Sequence, residues 1–120
     1  MALVNKVEQK IKVSLNETIE FQIITYCFFN DIKISNADLR CLVELAKHKD
    51  IELTEFCNDL TELNIFKSAQ SARNAISKAS KKDLITKIGK NKKKILVNPI
   101  IKIQSEGTVL LDYKILGIES

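Results

Sequence analysis

The chain has no tryptophan, one proline, one histidine and three glycines in 120 residues. So little proline and glycine excludes a Pro-rich linker, a collagen-like repeat or a low-complexity tail. No stretch approaches the ~18 consecutive apolar residues of a membrane span. The opening "MALVNKVEQKIKV" lacks the charged start, apolar run and small-residue cleavage site of a signal peptide. The expectation is a cytoplasmic protein, or one made in the cytosol, with no membrane partner. Cysteine is scarce and unpatterned: Cys27, Cys41 and Cys57 are odd in number, far apart, among apolar neighbours, and form no CxxC. They read as reduced, buried thiols rather than a disulfide framework or a zinc site, and no metal or cofactor is expected. The lone His48 sits in "KHKD" at a helix end, where a cation suits the terminal carbonyls. With no GxGxxG, P-loop, HExxH or nucleophile set beside a base, the chain is not expected to be an enzyme.

What is present is a globular composition, 45% hydrophobic and 28% charged, of one-domain length. The charge is unevenly placed. Residues 1–66 carry seven basic against eleven acidic side chains, residues 67–94 ten against one (Asp83), and residues 95–120 two against three. The overall +4 thus conceals a segment of net +9. A concentrated patch of this kind attracts and steers anions.

Periodicity divides the chain. "QKIKVSL" alternates, with Ile11, Val13 and Leu15 on one side, and predicts a strand over 10–15. "NETIEFQIITYCFFND" predicts a helix capped by Asn16 or Thr18 and buried nearly all round; a strand over "TIEFQII" is the other reading. Ser35 or Asn36 caps a second helix with Leu39, Leu42, Val43 and Ala46 on one face, widened by Ala37, Cys41 and Leu45. "IEL" is briefly extended. Thr54 then caps a short helix whose Phe56, Leu60 and Leu63 face the core, and Ser68 caps another running to about Ala79. From Leu84 the period becomes two, through a turn at "GKNKK" where Gly89 and Asn91 supply positive φ, and back along Ile95 and Val97. "IIKIQ" and "TVLLDYKIL", joined at Gly107, read as a second hairpin.

Helix, short extended piece, helix, turn, helix and basic hairpin is a winged helix-turn-helix layout. The stretch from Leu39 to Ile88 resembles the DNA-binding core of MarR-like winged-helix regulators, and with "VNP" after the hairpin it is also similar to winged-helix replication initiators of small plasmids, the resemblance covering Asp38 to about Pro99. Asp83 stands where such proteins commonly carry glycine, and Ala79 where they carry a larger aliphatic residue. The expected fold is α+β: one domain over 1–120, with a winged-helix core at about 36–98, an extra N-terminal strand and helix in 1–35, and a C-terminal β-hairpin in 99–120.

The helix from Ser68 sets a small stripe (Ala69, Ala72, Ile76, Ala79) against Gln70, Ser71, Arg73, Asn74, Ser77 and Lys78. Those polar types suit a major groove: Arg bonds guanine, Gln and Asn bond adenine, Ser reaches phosphate or base. Lys81, Lys82, Lys87, Lys90, Asn91, Lys92, Lys93 and Lys94 add charge for the phosphate backbone. A solvated polar face looks similar, but one acid in 28 residues favours an anion. The expected function is a small DNA-binding winged-helix protein, a transcriptional regulator or replication-initiator-like factor on double-stranded DNA. Homo-oligomer contacts would use the N-terminal strand and C-terminal hairpin. The alternative is an assembly subunit, a phage-type virion, connector or ring protein reusing the same core and located in the virion, whose basic wing would face acidic surfaces of neighbouring subunits or, non-specifically, packaged DNA.

Overall fold

The computed structural model describes residues 3–6, 14–104 and 112–115. In order these form β1 (Leu3–Lys6), α1 (Leu15–Phe29), α2 (Asn36–Ala46), β2 (Ile51–Glu52), α3 (Leu53–Glu62), α4 (Ala69–Lys81), β3 (Ile85–Ile88), β4 (Lys94–Val97) and β5 (Asp112–Ile115). The fold is α+β, with a three-stranded antiparallel sheet in the order β2–β4–β3. Helix α1 packs on α2, α3 on α4, α2 on β4 and α4 on β3. One core, drawn from all four helices and the three-stranded sheet, lies between them.

The start of α1 corrects two expectations. Its cap is Ser14, neither Asn16 nor Thr18: the Glu17 N–H donates to Ser14 Oγ (3.2 Å) and the Ser14 N–H donates to Glu17 Oε1 (3.3 Å). Ser-x-x-Glu closes a reciprocal box that the other two candidates lack. Ser14 and Leu15 therefore belong to a helix start, and the rest of the expected strand, residues 10–13, falls outside the described residues. "TIEFQII" is helical throughout. Nor is α1 buried all round. Ile19, Ile23 and Cys27 form its one buried stripe, while Phe21, Ile24, Phe28 and Phe29 are exposed, the last two at 79%. With α2 as its main helical neighbour, α1 can bury only one face.

Ser35 caps α2 by accepting from the Asp38 N–H (3.1 Å). Leu39, Cys41, Leu42, Val43 and Leu45 are buried, as the wide stripe requires. Helix α3 grows straight out of β2, so its cap is Glu52 and not Thr54; the Leu53 N–H donates to the Lys93 carbonyl at 2.8 Å. Phe56, Cys57 and Leu60 are buried, but Leu63 is the C-cap residue and half exposed. The helix ends before the heptad position reaches the core. Ser68 caps α4, accepting from the Ser71 N–H (3.1 Å), and α4 continues two residues past Ala79 to Lys81.

Three helices end alike, and none uses glycine. After α1, α3 and α4 the chain turns left-handed at Asp31 (φ 53°), Asn64 (φ 58°) and Asp83 (φ 59°). In each, the next N–H returns to a helix carbonyl: Ile32 to Cys27 (2.8 Å), Ile65 to Leu60 (3.0 Å) and Leu84 to Ala79 (3.0 Å). These are Schellman closures, each joining two apolar residues across the turn. Aspartate and asparagine tolerate the left-handed region better than other residues with a Cβ. Asp83 thus takes the conformation for which glycine is usual.

The β3–β4 hairpin pairs Ile85 with Val97 and Ile88 with Lys94. Its tip turns at Gly89 (φ 86°), Asn91 (φ 62°) and Lys92 (φ 53°). The expected second hairpin over "IIKIQ" and "TVLLDYKIL" is corrected. Pro99–Ile101 makes a 3₁₀ turn closed by Asn98, whose Oδ1 accepts from the Ile100 N–H (3.1 Å). The Gln22 amide then takes both backbone groups of Gln104, donating to its carbonyl (2.6 Å) and accepting from its N–H (2.7 Å). A side chain rather than a strand partner thus engages the N–H and the carbonyl of Gln104. Strand β5 pairs instead with β1, antiparallel, Leu3 opposite Ile115 and Lys6 opposite Asp112. Gly107 lies outside the described residues.

Candidate nucleic-acid interface

Helix α4 buries Ala72, Ile76 and Ala79. The opposite side carries Gln70, Asn74, Ser77 and Lys81, all exposed, at i, i+4, i+7 and i+11. Gln70 Nε2 donates to Asn74 Oδ1 at 3.0 Å, so the two amides act as a pair along this stripe. No carboxylate occurs on α4. Beyond it the hairpin exposes Lys87, Lys90, Asn91, Lys92, Lys93 and Lys94.

Several basic residues of the segment have partners on its flanks. Arg73, half-buried, donates from Nη2 to Thr54 Oγ1 (2.9 Å) and so ties α4 to the first turn of α3. Lys78 reaches Asp38 of α2 (3.6 Å), and Lys82 donates to the Lys33 carbonyl (2.6 Å). Lys94 lies 3.9 Å from Asp50. Ser68 donates through Oγ to Ser71 Oγ (3.1 Å), so both hydroxyls serve the start of α4. Of the fifteen residues singled out from the sequence, the outward stripe and the hairpin tip point to solvent. Ser68, Ser71, Arg73, Lys78, Lys82 and Lys94 have partners within the chain.

Thr54, Asp38 and Asp50 were not among the sequence candidates, yet each holds a basic side chain of the segment. Thr54 carries a signal in the sequence, a hydroxyl opening an α-helix, but that signal points to capping. The two aspartates lie far from residues 67–94 in sequence, and no local pattern joins them to their lysines.

The three thiols are buried. Burial pushes Cys41 up to about 12, with Asp38 and Cys57 adding in the same direction. Burial also raises Cys57, with the Arg73 guanidinium pulling the other way, and raises Cys27, with Lys82 opposing. Low thiolate content makes these poor nucleophiles and poor metal ligands. Among the described residues no three His, Cys, Asp or Glu side chains converge as a metal site. His48 packs edge-on against Phe56, ring centroids 6.2 Å apart. Two shallow clefts of about 280 and 400 Å³ flank this histidine, and neither is lined by α4 or the hairpin tip. No helix among the described residues is long and apolar enough to cross a membrane. Comparison with family models, curated proteins and solved structures finds no match.

Proposed function

We propose that this chain is a winged helix-turn-helix protein that binds double-stranded DNA, with α4 as the recognition helix and the β3–β4 hairpin as the wing. The observation that carries the reading is the carboxylate-free outward stripe of α4 followed directly by a hairpin whose tip holds Lys90, Lys92 and Lys93. The sheet order β2–β4–β3, with its short first strand between α2 and α3, agrees with that architecture. The α4 stripe would enter the major groove, and the lysines would grip the flanking phosphates. The role is that of a small regulator or replication-initiator-like factor working in the cytoplasm.

Duplex binding followed by fluorescence anisotropy across a salt series tests this. Wild type should bind at low salt, and Lys90→Ala/Lys92→Ala/Lys93→Ala should flatten the log–log salt slope by about 0.9 per lost phosphate contact. No binding at low salt removes the DNA reading.

The exposed Phe21, Ile24, Phe28 and Phe29 on α1 favour a second reading, an assembly subunit that meets its neighbours through this apolar face. Light scattering separates the two: a ring or stacked oligomer without DNA affinity supports the assembly role.

A further inference from the structure

We infer that the α4 stripe reads an adenine in the major groove through the Gln70–Asn74 amide pair. This rests on the DNA-binding reading above. Guanine is most often read by a bidentate arginine. The segment 67–94 holds a single arginine, Arg73, and its guanidinium is directed to Thr54 at the α3–α4 junction. Lys78 lies within ion-pair reach of Asp38, at 3.6 Å. What remains on the outward stripe ahead of Lys81 is two amides and a hydroxyl.

Adenine presents an acceptor at N7 and a donor at N6, and one carboxamide matches both. Gln70 uses an Nε2 hydrogen on Asn74 Oδ1. Asn74 then still offers its Nδ2 hydrogens to N7 and a second Oδ1 lone pair to N6–H. The bond from Gln70 also restrains the Asn74 side chain before DNA arrives, which lowers the ordering cost of reading.

The test starts from a randomised duplex library retained by the wild-type protein at low salt. The retained sequences should share an A·T pair at one position. Replacing that adenine by 7-deazaadenine, which lacks the N7 acceptor, should weaken binding about tenfold. Asn74→Ala should weaken binding to the parent duplex about as much and should no longer respond to the 7-deaza change. Asn74 is exposed, and a melting curve verifies that this variant is folded; the 7-deaza arm needs no variant. A shared site with no adenine dependence, or an Asn74→Ala protein that keeps the adenine preference, overturns the inference and leaves DNA binding standing. If no duplex is retained, the inference falls together with the DNA reading.

Discussion

Arg73 donates to Thr54 across the junction of α3 and α4, at 2.9 Å. The two residues are nineteen apart in sequence and join α4 to the first turn of α3. Both are at least partly open to solvent, so the bond is worth only about 0.5–1 kcal/mol. Arg73→Ala and Thr54→Val should each destabilise by that amount, and together by less than the sum of the two. Thermal melts of the two variants and the double mutant measure the coupling; strict additivity would mean that the bond contributes nothing.

The left-handed helix ends predict an order of substitutions. At Asn64 and Asp83 glycine should be tolerated or stabilising, whereas alanine should cost about 1–2 kcal/mol relative to glycine. Urea titrations of Asn64→Gly, Asn64→Ala and the matching Asp83 pair would show it. Equal midpoints for alanine and glycine would contradict the φ values of 58° and 59°.

Burial of Cys41 predicts a loss of stability in alkali. Its folded pKa, about 12, lies above the ordinary 9.0, so between these values the unfolded chain has released the proton and the folded chain still holds it. Stability from this thiol is therefore complete below pH 9 and declines up to pH 12, by at most about 1.4 kcal/mol per pH unit. Cys41→Ala should be less stable at pH 7 through the lost packing, but its stability should fall less steeply above pH 9. Chemical denaturation at pH 7, 9 and 10 compares the two slopes.

Gln22 holds Gln104 through two hydrogen bonds across 82 positions of sequence. Gln22→Ala should release the segment after the 3₁₀ turn while leaving the helical core intact. Hydrogen exchange at the Gln104 amide should accelerate at least tenfold, with Leu42 and Leu60 amides unchanged. Unaltered protection at Gln104 would place its restraint elsewhere.

Most of the core was readable because it obeys short periods. Leu39, Leu42, Val43, Phe56, Leu60, Ala72 and Ile76 are buried at the positions that helical spacing assigns, and Gly89 and Asn91 turn the hairpin as their residue types suggest. What escaped depends on partners distant in sequence. The exposure of Phe21 and Phe28 depends on how many neighbours α1 has, which its own periodicity cannot report. The pattern "IIKIQ" has every local mark of a strand. Its chain path is decided by Asn98, Pro99 and a glutamine 82 residues away. In the candidate interface the outward amides were legible. The diversion of Arg73, Lys78 and Lys82 was not, because Thr54, Asp38 and the Lys33 carbonyl are brought to them only by the packing of α4.

Strand β3 has β4 on one side and, among the described residues, no strand on the other. An unpaired row of N–H and C=O groups is a template for another chain, and Lys87 in its middle, with Lys90, Lys92 and Lys93 at the tip, makes a second copy unwelcome by like-charge repulsion. Removing these charges, by substitution or by saturating them with a polyanion, takes away that protection. Alanine variants of the hairpin should then show sheet-to-sheet association at high protein concentration even where their fold is intact. The same lysines that the proposed function turns toward DNA thus keep copies of the chain apart.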